Sequence, residues 1–313
     1  MDSGRPPPLK DLVTVVIPTL NEEEAIGKVL DELFSEGFSR VVVVDGGSTD
    51  RTREIAASKG ARVVMQEGRG KTLAIKTSLK YVDTPFTLIM DGDWTYPARH
   101  IRELLREALE KGYDEVIGAR VYGRENIPLV NRFGNWAITK AFNMLFGVSL
   151  SDVCSGMYLV RTEVLREVDF VTRSFSIEVE IAALVASTSR RIGEIAISYR
   201  ERIGRAKLGK RHGLLILVDA VRLAWRYNPA FFIFMASSAL MVPALIILAW
   251  VAYELLFRGV KHFVWAILGM GALGAGILSL LLAIMALYLK RMEYRILDKI
   301  GRCAKAYSNT RLK

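Results

Sequence analysis

Two aspartates one residue apart, Asp91 and Asp93, end an apolar run that reads LIMDGD from Leu88. Residues i and i+2 of an extended chain point to the same side, so both carboxylates face one way. Carboxylates held so close repel each other unless a cation lies between them. Mg²⁺ and Mn²⁺ prefer carboxylate oxygens and share their remaining coordination positions with substrate phosphates. The spacing therefore predicts a metal site, formed by Asp91 and Asp93, for a phosphorylated ligand.

A second acidic turn, DGGSTD at 45–50, follows another apolar run. Its glycines permit a tight turn close to a ligand, and Ser48 or Thr49 can cap the next helix, whose N-terminus favours anions. By itself this turn is explained equally well by an ordinary strand–turn–helix joint. No predicted strand is followed by G-x-G-x-x-G, and G-x-x-x-x-G-K-[ST] is absent, which argues against dinucleotide binding and P-loop ATP hydrolysis.

Short runs of β-branched residues alternate with stretches of helical periodicity, and this alternation predicts where the acidic turns lie in the fold. Buried strands are predicted at 12–18, 40–45, 61–65, 86–91, 115–119 and 191–199, and a loop enters a further strand at 152–160. Helices are predicted at 22–36, 49–59, 70–81, 97–111 and 176–186. Strand–helix alternation predicts a parallel sheet whose ligands bind beyond the carboxyl ends of the strands. Both acidic turns fall at that edge.

The last third of the chain contains two long apolar runs. Residues 231–257 carry one charge, Glu254, and residues 263–289 carry none. Roughly 20 apolar residues suffice to cross a bilayer, so the two runs predict a transmembrane hairpin, with two buried helices of a soluble core as the alternative. Amphipathic stretches at 131–147 and 212–227 are expected to lie at the membrane face.

Basic residues flank the hairpin on both sides. Residues 201–228 contain seven Lys or Arg against two acidic residues, and residues 290–313 contain eight against two, within a formal net charge of +10. By the positive-inside rule, both flanks and the N-terminal domain face the cytoplasm. Anionic lipid headgroups explain this placement of charge better than nucleic acid does.

Few residues are available for other chemistry. The chain has two cysteines, Cys154 and Cys303, and three histidines, so no zinc cluster can be assembled. Unpaired thiols fit a reducing compartment. The first eleven residues lack the apolar core of a signal peptide.

Six motifs occur in one order along the α/β region: VVIPTLNE, VVVVDGGSTD, GRGKTLAI, LIMDGDWTYP, DVCSGMYLV and RIGRAKLG. In this combination the chain resembles the family 2 glycosyltransferases of GT-A fold, and within them the dolichol-phosphate mannose synthase group. The resemblance covers about residues 12–210. It implies a Rossmann-like mixed, mostly parallel sheet with helices on both faces, to which amphipathic interface helices and the hairpin are appended.

The resemblance also implies roles for the matched residues on the nucleotide side. The residues that would border the base and ribose are Pro18, Asn21, Glu22 and Asp45. Lys71 would lie near the nucleotide. Asp91 would help to hold the nucleotide–metal unit, and Asp93 would ligate Mn²⁺ or Mg²⁺ on the diphosphate.

Basic residues are implied on the acceptor side. Arg120 and Arg132 match positions that face the lipid phosphate. Arg202 and Lys207 match a mobile loop that closes over both phosphates. The sequence departs from the family at Thr95, where many relatives have the glutamine of D-x-D-x-Q. The Q-x-x-R-W signature of processive synthases is absent, which favours transfer of one sugar per encounter.

The acceptor decides whether a general base is needed. A lipid monophosphate has a second pKa of about 6 and is already an anionic nucleophile near neutral pH. A sugar hydroxyl needs a base. The candidates for that base are Asp152, Glu178 and Glu180, with a structural or positioning role as the alternative.

These observations predict a membrane-anchored inverting enzyme that moves mannose from GDP-mannose to dolichyl (polyprenyl) phosphate with Mn²⁺ or Mg²⁺. The alternatives are a UDP-glucose or other UDP-hexose donor, a lipid-linked sugar hydroxyl acceptor, and a non-catalytic scaffold that senses nucleotide sugars. Expected partners are the nucleotide sugar, the lipid phosphate and a bilayer with anionic headgroups; nucleic acid is not expected, and assembly of identical chains is left open.

The predicted organisation has four parts. They are a cytoplasmic catalytic domain at 1–210, an interfacial helix at 211–230, a transmembrane hairpin at 231–289 and a basic cytoplasmic tail at 290–313. The predicted location is the cell membrane, with two passes and the catalytic domain in the cytoplasm.

Overall fold

A computed structural model describes residues 8–170, 177–188, 190–204, 218, 221–226 and 228–311 of the chain. The chain divides into two compact units, which meet in sequence between Leu223 and Ala224. The first unit contains the sheet, and the second contains two long helices. The predicted interfacial helix at 211–230 lies largely outside the described residues.

Seven strands form one sheet in the first unit, in the order β3-β2-β1-β4-β6-β5-β7. The strands are β1 Val13–Thr19, β2 Val41–Asp45, β3 Arg62–Met65, β4 Phe86–Ile89, β5 Glu115–Tyr122, β6 Tyr158–Arg161 and β7 Ile192–Ser198. All neighbouring pairs are parallel except that β6 runs antiparallel to both β4 and β5. The predicted mixed, mostly parallel sheet is confirmed.

Among the described residues of the first unit, seven α-helices lie between successive strands. They are α1 Ile26–Ser35, α2 Thr52–Ser58, α3 Lys71–Ser78, α4 His100–Lys111, α5 Leu129–Phe146, α6 Thr162–Arg166 and α7 Ile177–Ser187. The helix predicted from residue 22 begins only at Ile26. The reason is local: Asn21 has a positive φ of 51°, and the Glu22 amide donates to the Thr52 hydroxyl at 2.8 Å. Residues 22–25 therefore form a turn.

Apolar periodicity explains how the helices pack on the sheet. Ile26, Val29, Leu30 and Leu33 form the buried face of α1, and the four valines of β2 are fully or almost fully buried. One continuous core joins the buried face of α1, together with Val41 and Val43, to the buried face of α4. A strand buried on both faces needs apolar residues throughout, which is why VVVV precedes Asp45.

The carboxyl ends of β1, β2, β4, β5 and β7 lie at one edge of the sheet because these strands are parallel. β6 runs the opposite way, so its amino end, preceded by the loop at 152–157, reaches the same edge. Segments far apart in the sequence converge there.

The second unit consists of helices α8 Pro229–Arg258 and α9 Phe263–Arg311. The segments Pro229–Arg258 and Phe263–Leu289 are long and apolar enough to cross a membrane. The helices contact each other, and the Ser237 hydroxyl donates to the Gly276 carbonyl at 2.7 Å. Helix α9 continues beyond Leu289 into the segment predicted as a basic tail.

One oxygen of a buried acid in the sheet has no hydrogen-bond partner among the described residues. Glu115, at the start of β5, is 1% exposed, and within the described part of the chain its Oε2 accepts no hydrogen bond. Burial raises the pKa of Glu115 well above its usual value. The folded chain therefore keeps this proton at a pH where the unfolded chain, with a glutamate pKa of about 4.3, releases it. Folding stability consequently falls as pH rises from the unfolded toward the folded pKa.

Glu115→Gln should therefore raise the melting temperature of the protein in detergent, because the amide has no proton to release on unfolding. We expect a gain that grows as pH is raised from 4 to 8 and is smallest at pH 4. Thermal unfolding across this range measures it. Glu110→Gln, an exposed change on α4, is the matched control, and a gain independent of pH at position 115 would contradict the prediction.

Candidate active site

Asp93 lies at the centre of a charged cluster beyond β4. Its Oδ1 accepts hydrogen bonds from the Thr95 hydroxyl at 2.5 Å and the Thr95 amide at 3.2 Å. Its Oδ2 lies 3.3 Å from Nη1 of Arg202, whose Nη2 lies 3.1 Å from Oε1 of Glu22. Burial raises the pKa of Asp93 and the charge of Asp91 raises it further, against the lowering effects of Thr95 and Arg202. Arg202 thus neutralises two acids from different strand ends.

Asp91 belongs to a second cluster. Nζ of Lys71, at the start of α3, lies 2.7 Å from Oδ1 of Asp91 and 2.5 Å from Oε1 of Glu178. Burial acts to lower the pKa of Lys71, but the two carboxylates outweigh it and hold that pKa well above its usual value. The ammonium group therefore stays charged and fixes the orientation of Asp91.

Gly156 leaves room for the Asp91 carboxylate. A Cβ at position 156 would collide with Oδ2 of Asp91, and the Gly156 amide donates to the Tyr96 hydroxyl at 2.7 Å. The loop before β6 therefore packs directly against the D-x-D turn, where only glycine fits.

Arg120 and Asp152 form a buried pair at the end of β5. Nε and Nη2 of Arg120 donate to the two Asp152 oxygens at 2.6 and 2.8 Å, and both side chains are less than 10% exposed. The Arg120 amide also donates to Asp152, and Nη2 donates to the Cys154 carbonyl. Bidentate pairs of this kind are strong and directional.

The turn after β2 is held by its own side chains. Asp45 is 0% exposed, and its carboxylate accepts the Gly47 and Ser48 amides and the Ser48 hydroxyl. Oδ1 of Asn21 accepts the Thr49 amide at 2.8 Å, which joins this turn to the end of β1. Asp45 therefore shapes this turn, and its carboxylate is enclosed within it. Pro18, a half-buried residue of β1, pairs with Val44 of β2.

Three further residues are predicted for the site from the sequence. Arg132 lies exposed on α5, and Glu180 is fully buried in α7. Lys207 lies outside the described residues.

The donor chemistry of Asp91 and Asp93 fits a hard divalent cation. The Asp91 and Asp93 carboxylates lie close together, and the charge of Asp91 disfavours ionisation of Asp93. A bound cation would favour the ionised form of both. Among the described residues, no group of three or more His, Cys, Asp or Glu is arranged to hold a metal. Two carboxylates nevertheless suit Mg²⁺ or Mn²⁺, which take further ligands from water and substrate phosphates.

Several residues of the site were not predicted from the sequence. Trp94, directly after Asp93, has a positive φ of 73°, a conformation that costs on the order of 1–3 kcal/mol for a non-glycine residue. The rings of Tyr96 and Tyr199 meet edge to face at 5.3 Å, and Tyr199 lies beneath the Arg120 guanidinium. The aromatic residues inside DGDWTYP were the available signal.

Comparisons with known proteins agree with this geometry. The sequence profile described as Glycosyl transferase family 2 matches residues 14–169. Glycosyltransferase AglJ of Haloferax volcanii is 32% identical over 285 residues, which cover 89% of this chain and 94% of that protein. The chain belongs to the family 2 glycosyltransferases. The dolichyl-phosphate hexose transferase of the same organism is 38% identical to this glycosyltransferase over 201 residues, or 63% of this chain and 87% of the relative.

Solved structures show the fold of the glycosyltransferase. Glucosyl-3-phosphoglycerate synthase of Mycobacterium tuberculosis, in complex with Mn²⁺, UDP-glucose and phosphoglyceric acid, matches it with a TM-score of 0.56 at 23% identity. The match covers 69% of this chain and 79% of that one. The predicted GT-A fold and the predicted membership of family 2 are confirmed. The similarity to glycosyltransferases supports an enzyme and argues against the non-catalytic scaffold.

Gly156→Ala should lower the transferase activity of this glycosyltransferase by about tenfold or more, because misplacing a reacting or ligating group by about 1 Å is costly. The new methyl group would displace the Asp91 carboxylate. Activity is measured as the rate at which a labelled nucleotide sugar is consumed in the presence of an acceptor. The melting temperature is measured alongside.

Gly134→Ala is the matched control, since a Cβ there meets nothing within 4 Å. Its activity should equal that of the unmodified enzyme. Full activity of Gly156→Ala would show that the Asp91 position is unimportant.

Proposed function

We propose that this glycosyltransferase moves a hexose from a nucleoside diphosphate sugar to a polyprenyl phosphate such as dolichyl phosphate. The reaction proceeds with inversion, so an α-linked donor yields a β-linked lipid product. The 38% identity to a dolichyl-phosphate hexose transferase supports this acceptor class.

The observation that carries the proposal is the enclosure of every candidate general base. Both oxygens of Asp152 are bound to Arg120, and Glu180 is 0% exposed. Glu178 is bound to Lys71 through Oε1, and its Oε2 is buried, so an acceptor hydroxyl cannot reach it. A phosphate acceptor brings its own negative charge and needs none of these groups.

The residues of the site have distinct roles in this reaction. Asp91 and Asp93 would hold Mn²⁺ or Mg²⁺, which supplies neutralisation of the charge that develops on the diphosphate leaving group. Arg202 reaches the same place from the segment after β7 and adds a fixed positive charge. Arg120, pinned by Asp152, faces the acceptor side. Glu22 and Asn21 border the nucleotide.

We propose GDP-mannose as the donor and Arg132 and Lys207 as further contacts to phosphate. These assignments rest on the motifs shared with the dolichol-phosphate mannose synthase group. A UDP-hexose is the competing donor.

The enzyme is proposed to work at the cytoplasmic face of the cell membrane. Two apolar helices of spanning length follow the catalytic unit, and basic residues flank them. Helix α5 supports the placement, because it exposes an apolar face with two stacked aromatic rings. The exposed side chains of that face are Leu129, Phe133, Trp136 and Met144.

Purified protein incubated with dolichyl phosphate, Mn²⁺ and labelled GDP-mannose should yield labelled lipid with a β linkage. Parallel reactions contain UDP-glucose as donor, or a dolichyl-linked sugar as acceptor. If only UDP-glucose labels a lipid, the donor is UDP-glucose and not GDP-mannose. If label appears only in a lipid-linked disaccharide, the acceptor is a lipid-linked sugar and not a lipid phosphate. If no donor labels any lipid, the proposed function is wrong.

Glu178→Gln separates the two acceptor classes. With a phosphate acceptor we expect kcat to fall by less than about tenfold, since the amide keeps the shape and a hydrogen-bond acceptor for Lys71. Loss of a general base would cost about 10²-fold or more. Asp91→Asn serves as the comparison, because it removes a charge from the same Lys71 cluster and should cost far more. The measurement is kcat at saturating donor and acceptor.

A further inference from the structure

The segment that follows β7 runs beside the D-x-D turn. The Arg200 amide donates to the Thr95 carbonyl at 2.9 Å, and the Ile203 amide donates to the Asp93 carbonyl at 3.1 Å. These two bonds bracket Trp94, the one residue between Asp93 and Thr95. The conformation of Trp94 is therefore held from the side of this segment.

The side chain of Arg200 connects this segment to α1. Its Nη1 and Nη2 donate to Oε2 and Oε1 of Glu32 at 2.7 and 2.9 Å, in a half-buried bidentate pair. Its guanidinium carbon lies 4.4 Å from the centre of the Trp94 ring. The guanidinium of Arg200 is thus held by a carboxylate and lies over the indole ring.

Glu32 also holds the far side of the turn. Its Oε1 accepts the Ala98 amide at 3.2 Å, so a single carboxylate binds both Arg200, which lies over Trp94, and the backbone at Ala98, four residues after Trp94. Between these two attachments Trp94 keeps its positive φ of 73°, which an L-residue rarely adopts. Trp94 directly follows Asp93, so the conformation of Trp94 bears on the direction in which the Asp93 carboxylate points.

We propose that Arg200 and Glu32 are positioning residues that hold Asp93 in its metal-binding orientation through Trp94. Arg202 contacts the Asp93 carboxylate itself, whereas the side chain of Arg200 contacts Glu32 and Trp94, the residue next to Asp93. The two arginines of this short segment therefore have different roles. Arg202 acts on the metal-binding carboxylate, and Arg200 acts on the backbone turn beside it. The inference rests on the proposed function, in which Asp93 ligates a divalent cation.

Two conservative variants test it. Arg200→Lys keeps the charge but loses the bidentate fork and the planar face, and Glu32→Gln keeps the shape but loses the charge. Asp31→Asn is the matched control on the same helix, since Asp31 pairs with Lys59 of the neighbouring helix and not with the turn. Melting temperature is measured for each variant to verify folding.

The direct readout is Mn²⁺ binding in the presence of GDP or UDP, with free Mn²⁺ counted by electron paramagnetic resonance. We expect Arg200→Lys and Glu32→Gln to weaken Mn²⁺ binding by about tenfold or more, the range typical of residues that orient a metal ligand. Asp31→Asn should bind as the unmodified enzyme does. The inference would be overturned if all three variants bound Mn²⁺ as tightly as the unmodified enzyme does. It would also be overturned if Asp31→Asn weakened Mn²⁺ binding as much as the other two variants.

A double-mutant cycle adds a test that general destabilisation would not pass. Trp94→Gly adopts a positive φ without strain but lacks the ring, so adding Arg200→Lys to it should weaken Mn²⁺ binding little further. Additive effects would contradict the proposal. Absence of Mn²⁺ binding or sugar transfer in the unmodified enzyme would instead count against the proposed function.

Discussion

Mutual repulsion among acids at one edge of the sheet is the constraint on which the rest of the site depends. A binding place for a cation and a diphosphate needs carboxylates close together, yet such carboxylates are unstable without positive partners. The fold supplies a separate basic residue for each of the two aspartates. Lys71 serves Asp91, and Arg202 serves Asp93. Each basic residue comes from another strand end, so the site exists only when the whole edge is assembled.

The same neutralisation limits the chemistry that the site can perform. Arg120 binds both oxygens of Asp152, Lys71 binds one oxygen of Glu178, and the other oxygen of Glu178 is buried, so a substrate hydroxyl is kept from both carboxylates. The enzyme therefore has strong means of handling phosphate charge and little means of activating a hydroxyl. A nucleotide sugar and a lipid phosphate together present that combination of charges.

The antiparallel strand β6 has a consequence for the site. Because it enters the sheet from the ligand edge, its preceding loop brings Asp152 and Gly156 next to Arg120 and Asp91. In a wholly parallel sheet this loop would lie at the opposite edge. One reversed strand thus brings Asp152 to Arg120 and forms the buried ion pair at this edge of the sheet.

The sequence by itself determined the alternation of strands and helices, the position of the D-x-D turn after β4, and the two apolar helices. These follow from periodicity and backbone sterics, which act over a few residues. Only the tertiary structure decided which charges meet, because Lys71 and Glu178 are 107 residues apart and Glu32 and Arg200 are 168 apart. Such pairs depend on strand order and on the direction of β6, neither of which is encoded in local spacing.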